Sequence, residues 1–365
     1  MTQRSFFDEG NRLALLSAMG DPLEVLDRAI KWEDFRSVIE RNIRHPRSSK
    51  GGRPPFDVVL MFKILVLQRL YNLSDDQTTL QKFQINDRMT FMRFLNLGLN
   101  DKVPDAKTIW KFRNDLAMGS VARILFKIFD ERLRAEGLIT HNGSIVDATF
   151  VEAPRQRNTP EENEHIKKGQ TPPEWEKEDQ KYKGAQKDQD ARWTRKGDER
   201  HYGYKNHIKT DSDSKLITNY MVSDASVHDS NCCIPLLDSE DRVLYADSAY
   251  AGKEIADQLP PGCKGRILEK GYKGKPLTKR QKYNNRRKSR VRCRIEHVFG
   301  FMTGTMKGIA VRCIGMVRTE FNIGLTNLIY NMWRYRLLKL CRETMSITDG
   351  YRCNISKLNR LNGIL

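Results

Sequence analysis

The chain contains 365 residues, of which 39% are hydrophobic, and its 64 Lys and Arg residues against 46 Asp and Glu residues give a formal net charge of +18. This length is sufficient for two or three domains, and this hydrophobic content is sufficient for packed cores, which excludes a disordered protein. The excess of positive charge favours a polyanionic partner, either nucleic acid or an anionic membrane surface.

No segment of the sequence is expected to enter a membrane. The longest apolar run, Phe56 to Leu70, is interrupted by Lys63 and Arg69 and is too short to span a bilayer. Acidic and polar residues interrupt the first 20 residues, so these do not resemble a secretory signal. The seven cysteines lack C-x-x-C and Cys/His ligand spacings. We therefore expect a soluble, cytoplasmic protein with reduced thiols, no zinc finger and no membrane partner.

Residues 1–137 are predicted to form a helical domain. A turn at 51–55 precedes an apolar run, 58–67, whose side chains cover nearly the whole circumference of a helix, which indicates a buried helix. Asp105 is expected to cap a helix over 106–116. Basic residues on short helices are compatible with a helix-turn-helix-like DNA-binding domain, and a packing or dimerisation domain is equally compatible with them.

Two predicted strands each carry one carboxylate. The first, over 144–149, has Asp147 in its middle, and strand periodicity places this residue on the same face as Ile145 and Thr149. Burial of the carboxylate there would be costly without a partner. The second strand, over 243–247, repeats the pattern and ends at Asp247.

The segment 154–200, between these strands, has an unusual composition. Ile166 is its only branched aliphatic residue, and charged residues dominate the rest. Burial of so few apolar side chains does not offset the entropy of ordering, so we expect a mostly solvated, mobile insertion. Its aromatic residues, Trp175, Tyr182 and Trp193, are compatible with stacking on bases and with anchoring the insertion to its own domain.

The other predicted elements complete an α/β domain. A hairpin of strands over 204–210 and 216–222 is expected beside the first carboxylate strand, and 265–268 is a candidate fifth strand. The order of strands and helices indicates a mixed sheet flanked by helices. This domain is expected to span 138–345 and to be followed by a tail over 346–365.

A dense basic segment precedes a third carboxylate. Residues 270–294 contain twelve Lys or Arg and no Asp or Glu. Such a block is usually a solvated face, but this one leads directly into a helix that carries Glu296, one turn after Arg292. We therefore expect a phosphate-binding surface here.

Three carboxylates beside a basic surface are typical of metal sites that act on phosphates. Mg²⁺ prefers oxygen ligands, and two such ions about 3.5–4 Å apart can activate the attacking oxygen and stabilise the leaving one. Taken singly, each residue has an ordinary explanation, because Asp147 and Asp247 could cap turns and Glu296 could pair with Arg292 or Arg294. Their order, with the basic segment just before Glu296, favours the metal site.

The sequence around the carboxylates forms three blocks: Ile145-Val146-Asp147-Ala148-Thr149 with Glu152-Ala153-Pro154, Ala246-Asp247-Ser248-Ala249-Tyr250, and Arg292-Cys293-Arg294-Ile295-Glu296-His297-Val298-Phe299. These blocks resemble the catalytic blocks of DDE transposases, in particular the group encoded by bacterial insertion-sequence family five. The segments at 52–75 and 104–113, Tyr202-Gly203-Tyr204-Lys205 and Val227-His228-Asp229 are also similar to that family. The resemblance covers about 32–336.

The resemblance implies a ribonuclease-H-like catalytic domain with a mixed five-stranded sheet flanked by helices, preceded by the helical domain. Asp147, Asp247 and Glu296 would be the catalytic residues and would hold two Mg²⁺ or Mn²⁺ ions. The enzyme would bind the terminal inverted repeats of its element, hydrolyse the DNA at the ends, and join the 3′-hydroxyl to target DNA. A homodimer that pairs two ends, associated with the bacterial nucleoid, is expected.

The expected DNA-binding residues are basic and follow from the same comparison and from the basic segment: Arg292, Lys205, Lys279, Arg280, Arg286, Arg287 and Lys288. Arg292 is expected to bind phosphate, with a salt bridge to Glu296 as the alternative. Related enzymes often have Tyr three residues before this Arg and Lys seven residues after the Glu, where this chain has Ser289 and Thr303.

Two other functions remain compatible with the same residues. A ribonuclease-H-like nuclease would hydrolyse DNA without joining it to a target. A DNA-binding protein or repressor derived from a transposase would have no need of the three carboxylates, so their presence argues against it.

Overall fold

Helices form the N-terminal part of the protein. The computed structural model describes residues 8–43, 54–73, 78–308 and 310–347. Within the described part of this region the α-helices are α1 (Asp8–Ala18), α2 (Pro22–Ala29), α3 (Arg36–Asn42), α4 (Val58–Leu70), α5 (Thr78–Asp87), α6 (Met89–Leu95), α7 (Ala106–Met118) and α8 (Val121–Ala135). Most of the turn expected at 51–55, and the tail from 348 onward, lie outside the described residues.

Helix α4 lies at the centre of this region, as its apolar sequence predicts. Every residue of α4 except Leu60 and Arg69 is buried, and the side chain of Asp57 caps the helix. Even Lys63 is buried, with Nζ 2.5 Å from Asp27 Oδ1. The predicted cap of α7 is also confirmed, because Asp105 accepts a hydrogen bond of 2.7 Å from the backbone of the first turn.

A mixed sheet forms the second part of the protein. In the described residues its strands are β1 (Ser144–Glu152), β2 (Arg192–Lys196), β3 (Glu199–Asp211), β4 (Ile217–Asp224), β5 (Val243–Ala246) and β6 (Lys264–Ile267). One edge of β3 pairs with β1 and the other with β2 and β4, all antiparallel, whereas β1, β5 and β6 run parallel. This is the expected ribonuclease-H-like fold with one addition, since the sixth strand, β2, comes from the polar insertion.

Helices cover both faces of the sheet. The remaining described α-helices are α9 (Pro160–Lys167), α10 (Lys181–Gln186), α11 (Cys233–Leu236), α12 (Lys253–Asp257), α13 (Lys279–Arg292), α14 (Arg294–Gly300) and α15 (Met316–Ile347). Ile145 and Val146, adjacent on β1, belong to separate hydrophobic clusters, which shows that both faces are packed. The cluster around Ile145 continues into the N-terminal helices and α15. None of the helices within the described ranges is both long and apolar enough to cross a membrane.

The polar insertion folds around a small core of paired polar groups. Trp175 is buried, and its Nε1 donates to Glu162 Oε1 at 2.8 Å. The buried carboxylate of Glu162 also accepts from Lys187 Nζ at 3.0 Å. Asp188 is buried as well and accepts from the hydroxyl of Tyr204 at 2.7 Å. Most residues of the insertion are exposed, as expected, and the few buried ones are joined by hydrogen bonds and ion pairs in place of aliphatic packing.

Candidate active site

Asp147 lies on β1, near its contact with α14. Its Oδ1 accepts a hydrogen bond of 2.9 Å from the backbone N–H of Ala148, and its Oδ2 accepts one of 2.7 Å from Arg292 Nη1. Burial raises the pKa of Asp147, and the nearby charge of Asp247 adds to this, while the Ala148 N–H and the Arg292 guanidinium act in the opposite direction. The carboxylate therefore lies in a site where additional positive charge stabilises its ionised form.

Asp247 is brought to Asp147 by the parallel pairing of two strands. Ile145 on β1 is the register partner of Tyr245 on β5, so the same register two residues further places Asp147 beside Asp247. Asp247 follows the last residue of β5 and accepts a hydrogen bond of 2.6 Å from the backbone N–H of Ser248. The two aspartates thus approach each other from neighbouring parallel strands.

Glu296 reaches the same place from α14. Ile295 and Val298 bury one side of this short helix, while the side chain of Glu296 remains 60% exposed. Arg292 Nη2 donates to Glu296 Oε1 at 2.8 Å while Nη1 of the same guanidinium contacts Asp147. In this structure Arg292 pairs with the carboxylates, so the salt bridge described above as the alternative is the observed contact.

The three acidic side chains match the ligand chemistry of a divalent cation. All their donor atoms are carboxylate oxygens, which Mg²⁺ and Mn²⁺ prefer, and one cationic group already bridges Asp147 and Glu296. Within the described ranges, no three His, Cys, Asp or Glu side chains stand close enough together to surround one ion. Since Arg292 lies between two of the carboxylates, their closure around an ion requires this guanidinium to move.

Two further residues influence this site. Tyr250 belongs to the block around Asp247 but was assigned no role from the sequence, and no sequence motif indicated Lys196. Lys196, at the end of β2, is close enough for its charge to lower the pKa of Asp147. Tyr250 is buried, and its pKa is raised by burial and by the charge of Asp147. The position of Lys196 depends on the pairing of β2 with β3 in the insertion, where the composition gave no strand signal.

The basic segment forms α13, which lies directly before the site. This helix has no buried side chain and no acidic residue, and Thr278 caps it. Asn285 exchanges hydrogen bonds with the backbone of Glu269, and Lys288 Nζ donates to the carbonyl of Ile267 at 2.7 Å, which attach one side of α13 to the end of β6. The other side is exposed to solvent and carries Lys279, Arg280, Arg286 and Arg287.

Lys205, which was also expected to bind DNA, is placed differently. It is buried on β3, with Nζ 2.7 Å from the carbonyl of Val227 and 2.8 Å from Asp229 Oδ1. The expectation is corrected here, because this ammonium holds the segment after β4 against the sheet and is not presented to solvent.

Two transposase families match the sequence of this chain. The family described as "Transposase DDE domain" matches residues 139–332, and the family described as "Transposase domain (DUF772)" matches residues 11–115. A cryo-EM structure of the piggyBac transposase synaptic complex with hairpin DNA is similar, with a TM-score of 0.43 and 13% identity over 89% of this chain and 75% of that chain. Because the first match covers more than half of the sequence, the protein belongs to the family of transposases with a DDE catalytic domain.

Proposed function

We propose that the protein is an active transposase of a bacterial insertion sequence, resembling insertion-sequence family five. In this proposal it binds the terminal inverted repeats of its element, cleaves the DNA at the ends and joins the 3′-hydroxyl to target DNA. The observation that supports it most strongly is the approach of Asp147, Asp247 and Glu296 from two parallel strands and a helix, with Arg292 bridging the first and the last.

Asp147, Asp247 and Glu296 would hold two Mg²⁺ or Mn²⁺ ions. When bound, these ions supply Lewis acidity to the attacking and leaving oxygens of a phosphodiester. Arg292 pairs with both Asp147 and Glu296 and offsets part of their negative charge, and it is close enough to the carboxylates to contact a phosphate once it is released from them.

The exposed side of α13 supplies the charge that holds DNA near the carboxylates. Arg286 and Arg287 project into solvent from a helix whose last residue is Arg292, so a strand bound along α13 lies beside the acidic site. Such contacts neutralise phosphates and fix the position of the duplex without reading its sequence. We propose a homodimer, because two element ends must be paired.

The experiment uses purified protein, Mg²⁺ and a duplex that carries the ends of the element. Asp147→Asn, Asp247→Asn and Glu296→Gln should each abolish release of the 3′-hydroxyl and joining to target DNA, while DNA binding persists. The matched control is Glu254→Gln, which removes an exposed carboxylate on α12 of the same domain and should retain both reactions.

Two results would contradict the proposal. Undiminished cleavage by Glu296→Gln would remove this residue from the site. Cleavage without any strand-transfer product would identify a nuclease that only hydrolyses DNA.

A further inference from the structure

A cleft of about 380 Å³ lies where the N-terminal helices meet the catalytic domain. Helices α4 and α7 form one wall, and residues 310–314 together with the start of α15 form the other. The volume is within the range of about 300–1,000 Å³ that is usual for small-ligand sites. The two walls come from the two segments that match different transposase domain families.

The lining of this cleft is positively charged. Four arginines line it, Arg69, Arg113, Arg312 and Arg318, and no Asp or Glu belongs to the lining. Arg318 is fixed in place, since its Nε donates to Asn114 Oδ1 at 2.9 Å. A concave site with charges of a single sign concentrates ligands of the opposite sign, so this cleft favours anions.

Arg69, at the end of α4, has few partners among the described residues. Its Nη2 donates to the carbonyl of Gly308 at 2.8 Å, and its Nε is buried without an acceptor. In the described part of the chain no carboxylate forms an ion pair with Arg69. Burial, together with the charge of Arg312, lowers the pKa of Arg69 to about 10. A buried cation without a counter-ion is unfavourable, and an anion bound in the cleft would remove this cost.

Trp110 adds an aromatic surface to the same cleft. Trp110 lines the cleft and is 48% exposed, whereas Ile109 and Phe112, its neighbours on α7, are buried. Aromatic side chains beside basic ones are typical of sites that bind nucleic acid strands, where a base stacks on the ring and arginine contacts the phosphate.

We propose that this cleft binds one nucleotide unit of a DNA strand, with its phosphate held by Arg69 and Arg312 and its base or sugar against Trp110. This inference rests on the proposed function, because it assigns a DNA contact to a transposase. It gives the N-terminal helices and the catalytic domain a shared contact with the same strand, separate from the exposed side of α13.

The test measures DNA binding by the full-length protein in EDTA, where metal-dependent cleavage does not occur. Fluorescence anisotropy of labelled single-stranded and duplex oligonucleotides is followed at increasing KCl. Arg312→Gln and Arg69→Gln should each weaken binding about 5- to 10-fold and reduce the salt slope by about 0.7–0.9, the value for one lost phosphate contact. The matched control, Arg28→Gln, removes an exposed arginine of α2 and should leave the affinity unchanged.

A second measurement uses the intrinsic fluorescence of Trp110. The oligonucleotide should quench a component of the tryptophan emission that Trp110→Phe lacks. Arg312→Gln provides the decisive affinity test if Arg69→Gln does not fold, because Arg312 is exposed. Equal DNA affinity and equal salt slope for wild type and Arg312→Gln would overturn the proposal.

Competition identifies the source of the phosphate. The fluorescence of Trp110 is also measured with inorganic phosphate and with dAMP. If either one quenches it while Arg312→Gln has no effect on oligonucleotide binding, the cleft is a site for free phosphate or nucleotide, and the DNA assignment is overturned. Metal-free binding is independent of cleavage, so the two proposals can fail separately. Absence of cleavage by the wild-type protein contradicts the transposase function but not the cleft, and unchanged DNA binding by Arg69→Gln and Arg312→Gln contradicts the cleft but not the transposase function.

Discussion

The contact of one guanidinium with two carboxylates predicts a specific cost for Arg292→Gln. The bond to Asp147 joins two side chains that are each 21% exposed, and a charge-assisted hydrogen bond of this kind contributes about 1.5–3 kcal/mol. The pair with Glu296 spans one helical turn, and Glu296 is 60% exposed, so it contributes about 0.3–0.5 kcal/mol. We expect the free energy of unfolding to fall by about 2–3 kcal/mol.

This loss is measurable by thermal unfolding. At about 2–4 °C per kcal/mol for a domain of this size, Arg292→Gln should lower the Tm by about 4–12 °C without divalent metal. Arg286→Gln is the matched control, because Arg286 lies on the same helix, is exposed, and forms no ion pair within the described residues. Its effect on unfolding should stay within about 0.5 kcal/mol.

A double-mutant cycle isolates the contact itself. Asp147→Asn removes the carboxylate that Arg292 compensates, so Arg292→Gln should cost at least about 1.5 kcal/mol less in that background. Two results would show that the guanidinium does not stabilise the acidic site. One is the same Tm for Arg292→Gln and Arg286→Gln, and the other is an equal loss of unfolding free energy from Arg292→Gln with and without the Asp147 carboxylate.

Two further predictions concern residues of β3, the strand that pairs with β1. Burial lowers the pKa of His207 to about 4, against the opposing charge of Asp229. As the pH falls below 6.5, His207 therefore binds a proton in the unfolded chain but not in the folded protein. This difference should lower the free energy of unfolding by roughly 3 kcal/mol between pH 6.5 and pH 4. Urea unfolding at pH 7, 5.5 and 4.5 should show a shallower decline for His207→Gln, whereas parallel curves would refute this. Gly203 has φ +142°, and a Cβ there would lie 2.3 Å from the carbonyl oxygen of Val151, so Gly203→Ala should destabilise by about 2–4 kcal/mol in urea unfolding at pH 7. Gly197→Ala, also at positive φ but in open space, should cost about 1 kcal/mol, and equal losses for the two variants would show that the close approach has no effect.

The positions of the two aspartates follow from rules that a sequence obeys locally. The pattern of an apolar strand with one carboxylate occurs twice and locates each aspartate on its strand, whereas the pairing of β1 with β5, which places Asp147 beside Asp247, is known only from the structure. The buried helix α4 was predictable for a similar reason, because its apolar residues surround the whole helix. In each case the pattern and the burial belong to the same short segment.

The remaining differences arise where polar side chains are paired by the fold. The aliphatic content of the insertion did not indicate its helices and strand, because these are supported by the buried, hydrogen-bonded side chains of Glu162 and Asp188. Lys205 lies in a family-like motif, but its partner Asp229 comes from a segment more than twenty residues away. The sequence does not show which Lys and Arg side chains pair with an acceptor of the protein. Only the tertiary structure distinguishes the exposed basic residues, which are available to DNA, from the paired ones.

The attachment of α13 explains how charge on the protein surface is related to the acidic site. One side of this helix is fixed to the end of β6 by Asn285 and Lys288, and β6 lies beside β5, which leads into Asp247. The helix ends at Arg292, which contacts Asp147. Because one short, anchored helix carries both the exposed arginines and this contact, a phosphate backbone bound along α13 would be placed at a fixed distance from the carboxylates. The same binding would supply phosphate oxygens that compete with Asp147 and Glu296 for the Arg292 guanidinium. Engagement of DNA and release of the acidic site for cations are therefore expected to occur together.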